Sequence, residues 1–149
     1  DYLLSVLNKP IRVCGMVKNE GQPGGGPFWI RRENGELSLQ IVESAQVDMR
    51  DENQKEIFNN STHFNPVDLV CSVKNFKGEK FELTDFVDYN TGFITEKSQQ
   101  AHKIKVQELP GLWNGSMANW ISIFVQVPLE TFTPVKTINN LLDKGHNPF

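Results

Sequence analysis

Three consecutive glycines, Gly24, Gly25 and Gly26, constrain the fold of this chain more than any other feature. Glycine loses more backbone freedom on folding than any other residue, so a run of three carries a conformational cost that the fold must offset. Such a run is usually retained where bare backbone is needed, either at a positive φ angle or where a ligand lies against main-chain N–H groups. A flexible loop between strands explains the glycines equally well when they are taken alone.

The residues that follow the glycines have the pattern of a β-hairpin. A strand over residues 27–32 and a returning strand over residues 37–43 flank a turn at 33–36, whose Asn-Gly pair favours the positive φ angles of a two-residue hairpin turn. We therefore expect Glu43 to lie level with the glycines at the open end of the hairpin. A carboxylate beside bare amides can bind the hydroxyl groups of a sugar, although a glutamate that only ends a strand in water is the simpler interpretation.

Length and composition are those of an ordinary globular chain. The 149 residues are enough for one domain, or a domain fragment, with a real core, and 38% hydrophobic and 22% charged residues are typical of soluble proteins. A net charge of −3 provides no positive field for a polyanion, which argues against nucleic acid as a partner. No apolar run approaches the roughly 18 residues that span a membrane, so we expect no membrane partner and a cytoplasmic location.

The hydrophobic pattern predicts strands and helices in alternation, with an exposed helix over residues 49–58 and residues 81–89 left open between helix and loop. The fold class expected from this order is α/β, a mixed sheet with helices packed on it. Because the chain begins with Asp and enters a helix at once, we also expect it to be a piece of a longer protein. The other predicted strands cover residues 10–17, 67–73, 93–95, 103–109 and 122–128, and the other predicted helices cover residues 2–7, 112–121 and 138–144.

Two cysteines and two tryptophans are predicted to be core residues. Cys14 and Cys71 lie among apolar neighbours without the spacing of a metal site, which predicts two buried thiols and no metal site. Trp113 and Trp120 share one face of the predicted helix over residues 112–121, a pattern typical of core packing. The alternative for the tryptophans is an exposed aromatic surface that binds another protein.

Three further residues are candidates for a binding site. Phe64 and Asn65 stand at the start of a predicted strand, where a site lined by strand ends would use a ring and an amide, although turn chemistry before a proline also explains Asn65. Lys136 precedes the last predicted helix, whose N-terminal dipole disfavours a cation. A phosphate between the helix and the ammonium group would satisfy both, whereas a plain solvated lysine is the simpler interpretation.

Four short motifs occur in a particular order along the chain. They are Gly25-Gly26, V-E-S-A-Q-V at 42–47, F-N-P-V-D-L at 64–69 and P-V-K-T at 134–137. This order resembles the sugar-binding half of the UTP–glucose-1-phosphate uridylyltransferases, and the UDP-N-acetylglucosamine pyrophosphorylases are similar in a looser way. Nearly the whole chain is similar to the C-terminal part of a bacterial family, the domain-of-unknown-function family 4301.

The resemblance implies half of a nucleotide-diphospho-sugar transferase-like domain. Gly25 or Gly26 would then offer backbone to the sugar and Glu43 would bind its hydroxyl groups. Lys136 would be the catalytic residue, holding phosphates and stabilising charge in the transition state. The remaining substrate-binding residues of the pocket would be Phe64 and Asn65.

The implied reaction joins a sugar 1-phosphate to a nucleoside triphosphate with Mg²⁺ as cofactor and releases pyrophosphate. The glycine-rich nucleotide-binding motif of the resembling enzymes is absent from this sequence, so the chain alone should be inactive and should need the N-terminal half of its own protein. Val67 stands where those enzymes have a second asparagine, which leaves the sugar unidentified. The alternative is a non-catalytic domain that binds a sugar phosphate or another protein.

Overall fold

The computed structural model describes residues 1–21, 24–111 and 115–147. These residues form two α-helices, α1 (Tyr2–Leu7) and α2 (Glu52–Asn59), and several short 3₁₀ turns. The strands are β1 (Ile11–Lys18), β2 (Gly26–Arg31), β3 (Leu37–Val42), β4 (His63–Phe64), β5 (Leu69–Ser72), β6 (Phe93–Gln99), β7 (His102–Glu108) and β8 (Ile121–Gln126). Among the described residues, no helix has the length and the apolar composition of a membrane span.

The apolar strand β1 lies at the centre of a mixed sheet. On one side it pairs in parallel with β8, from Ile11 opposite Ile121 to Met16 opposite Gln126. On the other side it pairs antiparallel with β5 and, further along, with β4. A mixed sheet accompanied by helices confirms the predicted α/β class.

Strands β4 and β5 both pair with β1, and residues 65–68, which connect them, leave this ladder. The Gly15 amide of β1 donates to Asp68 O over 2.9 Å, and Gly15 O accepts from the side chain of Asn65 over 2.7 Å. A side-chain amide therefore replaces the strand hydrogen bond that the excursion removes. Val67 lies in this excursion with a φ angle of 76°, so the strand predicted over residues 67–73 begins only at Leu69.

Strands β2 and β3 form the predicted hairpin, in register from Gly26 opposite Val42 to Arg31 opposite Leu37. The predicted two-residue turn is wrong. The Gly35 amide donates to Arg32 O, and of the residues in the turn only Gly35 has a positive φ angle, 82°. This is a type I turn followed by a bulge glycine, a geometry that also suits Asn-Gly but needs only one left-handed residue.

The hairpin packs on one face of the central sheet and closes a small core. Cys14, Met16 and Ile41 are buried there, with Leu69 and Phe124 packed against them. The register places the side chains of alternate β1 residues on this face, which explains why Cys14 and Met16 share it.

The predicted helix over residues 112–121 is not found in its described part. Residues 115–119 form turns and Ile121 opens β8. The Ala118 carbonyl accepts from Gln40 Nε2 over 2.8 Å and also from Arg32, so side chains outside this segment bind its backbone. Trp120 is only 7% exposed, as predicted for core, whereas Trp113 lies outside the described residues.

Three other predictions need correction. The segment over residues 96–102 is not a connection, because β6 and β7 pair as far as Gln99 and His102 and leave a two-residue turn in which Gln100 and Ala101 have positive φ angles. Cys71 is exposed, because only Leu69 of β5 is partly buried and the other three residues of the strand are exposed. The last predicted helix is a 3₁₀ segment, Ile138–Leu142. The exposed helix predicted over residues 49–58 is confirmed as α2, which begins after the N-cap Asp51.

Candidate functional site

A cavity of about 510 Å³ opens beside the open end of the β2–β3 hairpin. Five of the six residues that the sequence singles out line it, namely Gly25, Glu43, Phe64, Asn65 and Lys136. They come from four separate segments of the chain. The other lining residues are Gly24, Ile41, Pro66, Val67, Phe132 and Pro134.

The glycines are explained by close packing rather than by backbone conformation. None of the three has a positive φ angle. A Cβ on Gly25 would lie 2.5 Å from Ile41 Cγ2 and 3.4 Å from Glu43 Cγ, and a Cβ on Gly24 would lie 2.9 Å from the Phe64 ring. The floor of the cavity therefore requires bare backbone at both positions.

Gly26 does not line the cavity. It is the first residue of β2 and pairs with Val42. A Cβ there would lie 2.7 Å from the Phe28 ring and 3.0 Å from Ser61 Oγ. The two glycines of the motif thus have different roles. Gly25 faces the cavity, whereas Gly26 leaves room for the hairpin to pack.

Glu43 is half-buried at the end of β3, level with Gly25 as the hairpin pattern predicts. Its backbone amide donates to Gln46 Oε1 over 3.0 Å, and the Gln46 amide donates to Glu43 O over 2.9 Å. Gln46 therefore fixes the main chain at Glu43, which gives a structural reason for both residues of the V-E-S-A-Q-V motif. The Glu43 carboxylate forms no ion pair with any described residue and lines the cavity.

Phe64 and Asn65 are buried against the cavity wall, at 2% and 5% exposure. The Phe64 ring packs edge-to-face on Phe132, with ring centroids 5.1 Å apart. Besides its bond to Gly15 O, Asn65 accepts from the Val67 amide over 3.1 Å, and its own backbone amide donates to Gly25 O over 2.8 Å. Asn65 therefore holds β1, the glycine loop and the excursion together.

Lys136 is exposed at the rim of the cavity. Its backbone amide donates to Asn140 Oδ1 over 3.1 Å, and its ammonium group pairs with no carboxylate among the residues described. The 3₁₀ segment that follows has only five residues, so the helix-dipole argument for a phosphate does not apply. Any attraction for a phosphate at this place comes from the ammonium group itself.

A buried polar connection behind the cavity was not predicted from the sequence. Arg12 is fully buried in β1, and its guanidinium donates to Ser122 Oγ and Gln40 Oε1, each over 2.7 Å. Burial lowers the pKa of Arg12 from its ordinary value, and burial raises the pKa of the nearby Cys14 thiol. Arg12 joins β1, β8 and β3, and the signal for it was a single charged residue inside an otherwise apolar strand.

The residues of the cavity do not form a magnesium site on their own. Mg²⁺ prefers an octahedron of oxygen ligands, with one or two carboxylates and the remainder from phosphates and waters. Glu43 is the one carboxylate in the described lining, and no group of three or more potential ligand side chains meets in the described parts of the chain. Further carboxylates would have to come from elsewhere.

Comparisons with known proteins place the chain in a family but give no activity. The family model for a domain of unknown function, DUF4301, matches residues 1–147. The search of curated proteins gives no match.

Proposed function

We propose that this chain, which belongs to the DUF4301 family, is the sugar-phosphate-binding part of a sugar-1-phosphate nucleotidyltransferase. One observation carries the proposal: a single cavity is lined by residues from four separate segments of the chain, namely Gly25, Glu43, Phe64 with Asn65, and Lys136. They belong to the four motifs whose order resembles the UTP–glucose-1-phosphate uridylyltransferases.

The chemistry of the cavity suits a phosphorylated sugar. Its volume of about 510 Å³ lies within the usual range for small-molecule sites. The Glu43 carboxylate accepts hydrogen bonds from sugar hydroxyl groups, and the Phe64 and Phe132 rings offer an apolar wall to the C–H face of the ring. The Lys136 ammonium group at the rim provides the positive charge for a phosphate.

In the proposed reaction an oxygen of the sugar 1-phosphate attacks the α-phosphorus of a nucleoside triphosphate. A new P–O bond forms there while the bond from the α-phosphorus to the bridging oxygen breaks, and pyrophosphate leaves with that oxygen. Such a transfer needs positioning and neutralisation of charge rather than a side-chain nucleophile. Lys136 would stabilise the phosphate charge, and Mg²⁺ would neutralise charge on the triphosphate only if carboxylates outside the described lining of the cavity held it.

The surface of the chain supports a partner, which we take to be the N-terminal half of the same protein. The chain exposes 10910 Å², whereas a compact monomer of 17.0 kDa exposes about 7,700 Å². Part of the excess is apolar sheet surface, since Val70 is 73% exposed and Ile123 is 46% exposed. Packing of further polypeptide on this face would bring the glycine-rich nucleotide-binding motif that this sequence does not contain.

The first test is binding of glucose 1-phosphate to the chain by isothermal titration calorimetry. We expect Glu43→Gln and Lys136→Ala to weaken binding by about tenfold or more each, because each removes a hydrogen bond to a charged group. Lys144→Ala is the matched control, since Lys144 is exposed in the same segment but does not line the cavity. Absence of binding by a panel of sugar 1-phosphates would refute the proposed site.

The second test is pyrophosphate release by the complete parent protein. Lys136→Ala should lower kcat by about a hundredfold, as expected for loss of transition-state charge stabilisation, whereas Glu43→Gln should mainly raise KM for the sugar phosphate. If both variants released pyrophosphate as fast as the wild type, Lys136 and Glu43 would not have the roles proposed here.

A non-catalytic binding domain is the second candidate. Val67 favours it, because this apolar residue at the cavity wall stands where the resembling enzymes have an asparagine. Binding of sugar phosphate without pyrophosphate release from any triphosphate would select it. A protein-binding role through the tryptophans loses one of its two residues, because Trp120 is buried.

A further inference from the structure

A second cavity, of about 350 Å³, adjoins the first and shares three lining residues with it, Phe132, Pro134 and Lys136. The remaining lining residues are Thr133, Asn140, Asp143 and His146. Lys136 thus lies at the border between two hollows. A phosphate bound by its ammonium group would therefore be within reach of both.

The wall of the second cavity is held in place by its own contacts. Asn140 Oδ1 accepts from the backbone amide of Thr137 over 2.8 Å, while its Nδ2 donates to Asp143 Oδ2 over 3.0 Å. Gly145 allows the two arms of the loop to meet, because a Cβ there would lie 2.3 Å from Thr133 Cγ2. The hollow is a built part of the loop between residues 132 and 146.

Asp143 and His146 add hydrogen-bond acceptors to this cavity, beside the Lys136 ammonium group and the Thr133 hydroxyl group that also line it. His146 Nε2 lies 2.7 Å from Thr133 O, and a carbonyl only accepts, so this bond selects the tautomer with the hydrogen on Nε2, in which Nδ1 is an acceptor. Asp143 Oδ2 is bonded to Asn140, and its second oxygen adds another acceptor. Acceptors repel a phosphate and bind hydroxyl groups, as carboxylates bind the ribose of dinucleotides.

We infer that the second cavity binds the ribose of a nucleotide whose phosphates lie at Lys136 and join it to the sugar in the first cavity. This rests on the proposed function and adds a nucleoside subsite contributed by this chain. Each hollow has one carboxylate in its described lining, Glu43 in the first and Asp143 in the second, and the two share the Lys136 ammonium group. The arrangement matches a ligand with a hydroxyl-rich group on each side of a diphosphate.

The experiment measures affinity by calorimetry for three probes: glucose 1-phosphate, UDP-glucose and ADP-glucose. The two nucleotide sugars share ribose and diphosphate, so we expect both to bind the wild-type chain more tightly than glucose 1-phosphate does. Asp143→Asn can keep the bond from Asn140 while replacing an acceptor by a donor, and His146→Ala removes the second acceptor. Each should weaken both nucleotide sugars about tenfold and leave glucose 1-phosphate unchanged.

The controls separate this inference from the proposed function. Lys136→Ala should weaken all three probes, and Lys144→Ala should weaken none. If glucose 1-phosphate binds but the nucleotide sugars bind no more tightly, or if Asp143→Asn and His146→Ala leave them within twofold, the ribose subsite is refuted and the sugar-phosphate site stands. If no probe binds, both fail.

Discussion

Replacement of Asn65 tests whether the hydrogen bond from its side chain to Gly15 O stabilises the central sheet. Asn65→Ala removes the 2.7 Å bond to Gly15 O and the 3.1 Å bond from the Val67 amide. Gly15 is buried, so its carbonyl loses its partner without access to water, whereas Val67 is 63% exposed and its amide can bind water instead. An unsatisfied buried partner costs about 1–3 kcal/mol, and the loss of the second bond adds about 1 kcal/mol.

We therefore expect Asn65→Ala to lower the free energy of unfolding by about 2–4 kcal/mol, a large part of the total stability of a small domain. In urea the midpoint should fall by roughly 1–2 M. Circular dichroism across a urea titration at constant temperature measures both the midpoint and the free energy of unfolding. A loss under about 1 kcal/mol would mean that the Gly15 carbonyl finds another partner, and the role assigned to Asn65 would be wrong.

Asn65→Asp is the matched variant, because it keeps the size and the acceptor for Val67 but places an oxygen against Gly15 O. Burial at 5% exposure should raise the pKa of the new carboxyl in the folded state above its unfolded value. Only the protonated acid can donate to Gly15 O, so its contribution is present at low pH and is lost as pH rises through the folded pKa. Stability that does not fall, relative to the wild type, between about pH 4 and pH 8 would contradict this assignment.

Two further predictions concern Val67 and the ion pair between Lys97 and Glu108. Val67→Asn should raise the free energy of unfolding by about 1 kcal/mol in thermal melts, because asparagine tolerates the φ angle of 76° that costs valine energy; Val70→Asn, at a comparably exposed strand position, should bring no gain. Lys97→Met should raise the pKa of Glu108, measured by NMR titration, since the hydrogen bond from Lys97 is the main cause that lowers it. Glu108 stabilises the wild type above its unfolded pKa and loses this effect as pH falls through the folded pKa, so the variant should show a smaller loss of stability in acid.

Local patterns predicted the parts of the fold that depend on neighbouring residues. The hairpin, the apolar strand β1 and helix α1 all follow from short-range periodicity, and α1 has the predicted bounds, Tyr2–Leu7. The segment around Met117 and Trp120 has helical spacing, yet it forms turns. Its backbone is bound by Arg32 and Gln40 from the hairpin, a long-range contact that spacing cannot reveal.

Five of the six residues predicted for a binding site share one cavity, whereas their roles in binding stay predictions. Motif order indicated five residues that share the cavity, but the reason for the glycines differs, since Gly25 needs space beside Ile41 rather than a special φ angle. Cys71 has the same alternating pattern as a core residue and is exposed. Periodicity describes which residues share a face, whereas burial depends on what covers that face.

The hydrogen bonds that join Asn65 and Asp68 to Gly15 affect which sequence changes the fold can tolerate. Because Asn65 and Asp68 anchor the excursion to Gly15 at both ends, the register of the neighbouring strands is fixed by residues outside positions 66 and 67. Residues 66 and 67 can therefore be exchanged, or the loop lengthened, while strand register is preserved. The same scaffold could in this way acquire new ligand selectivity through grafted loops, with the anchor pair left untouched.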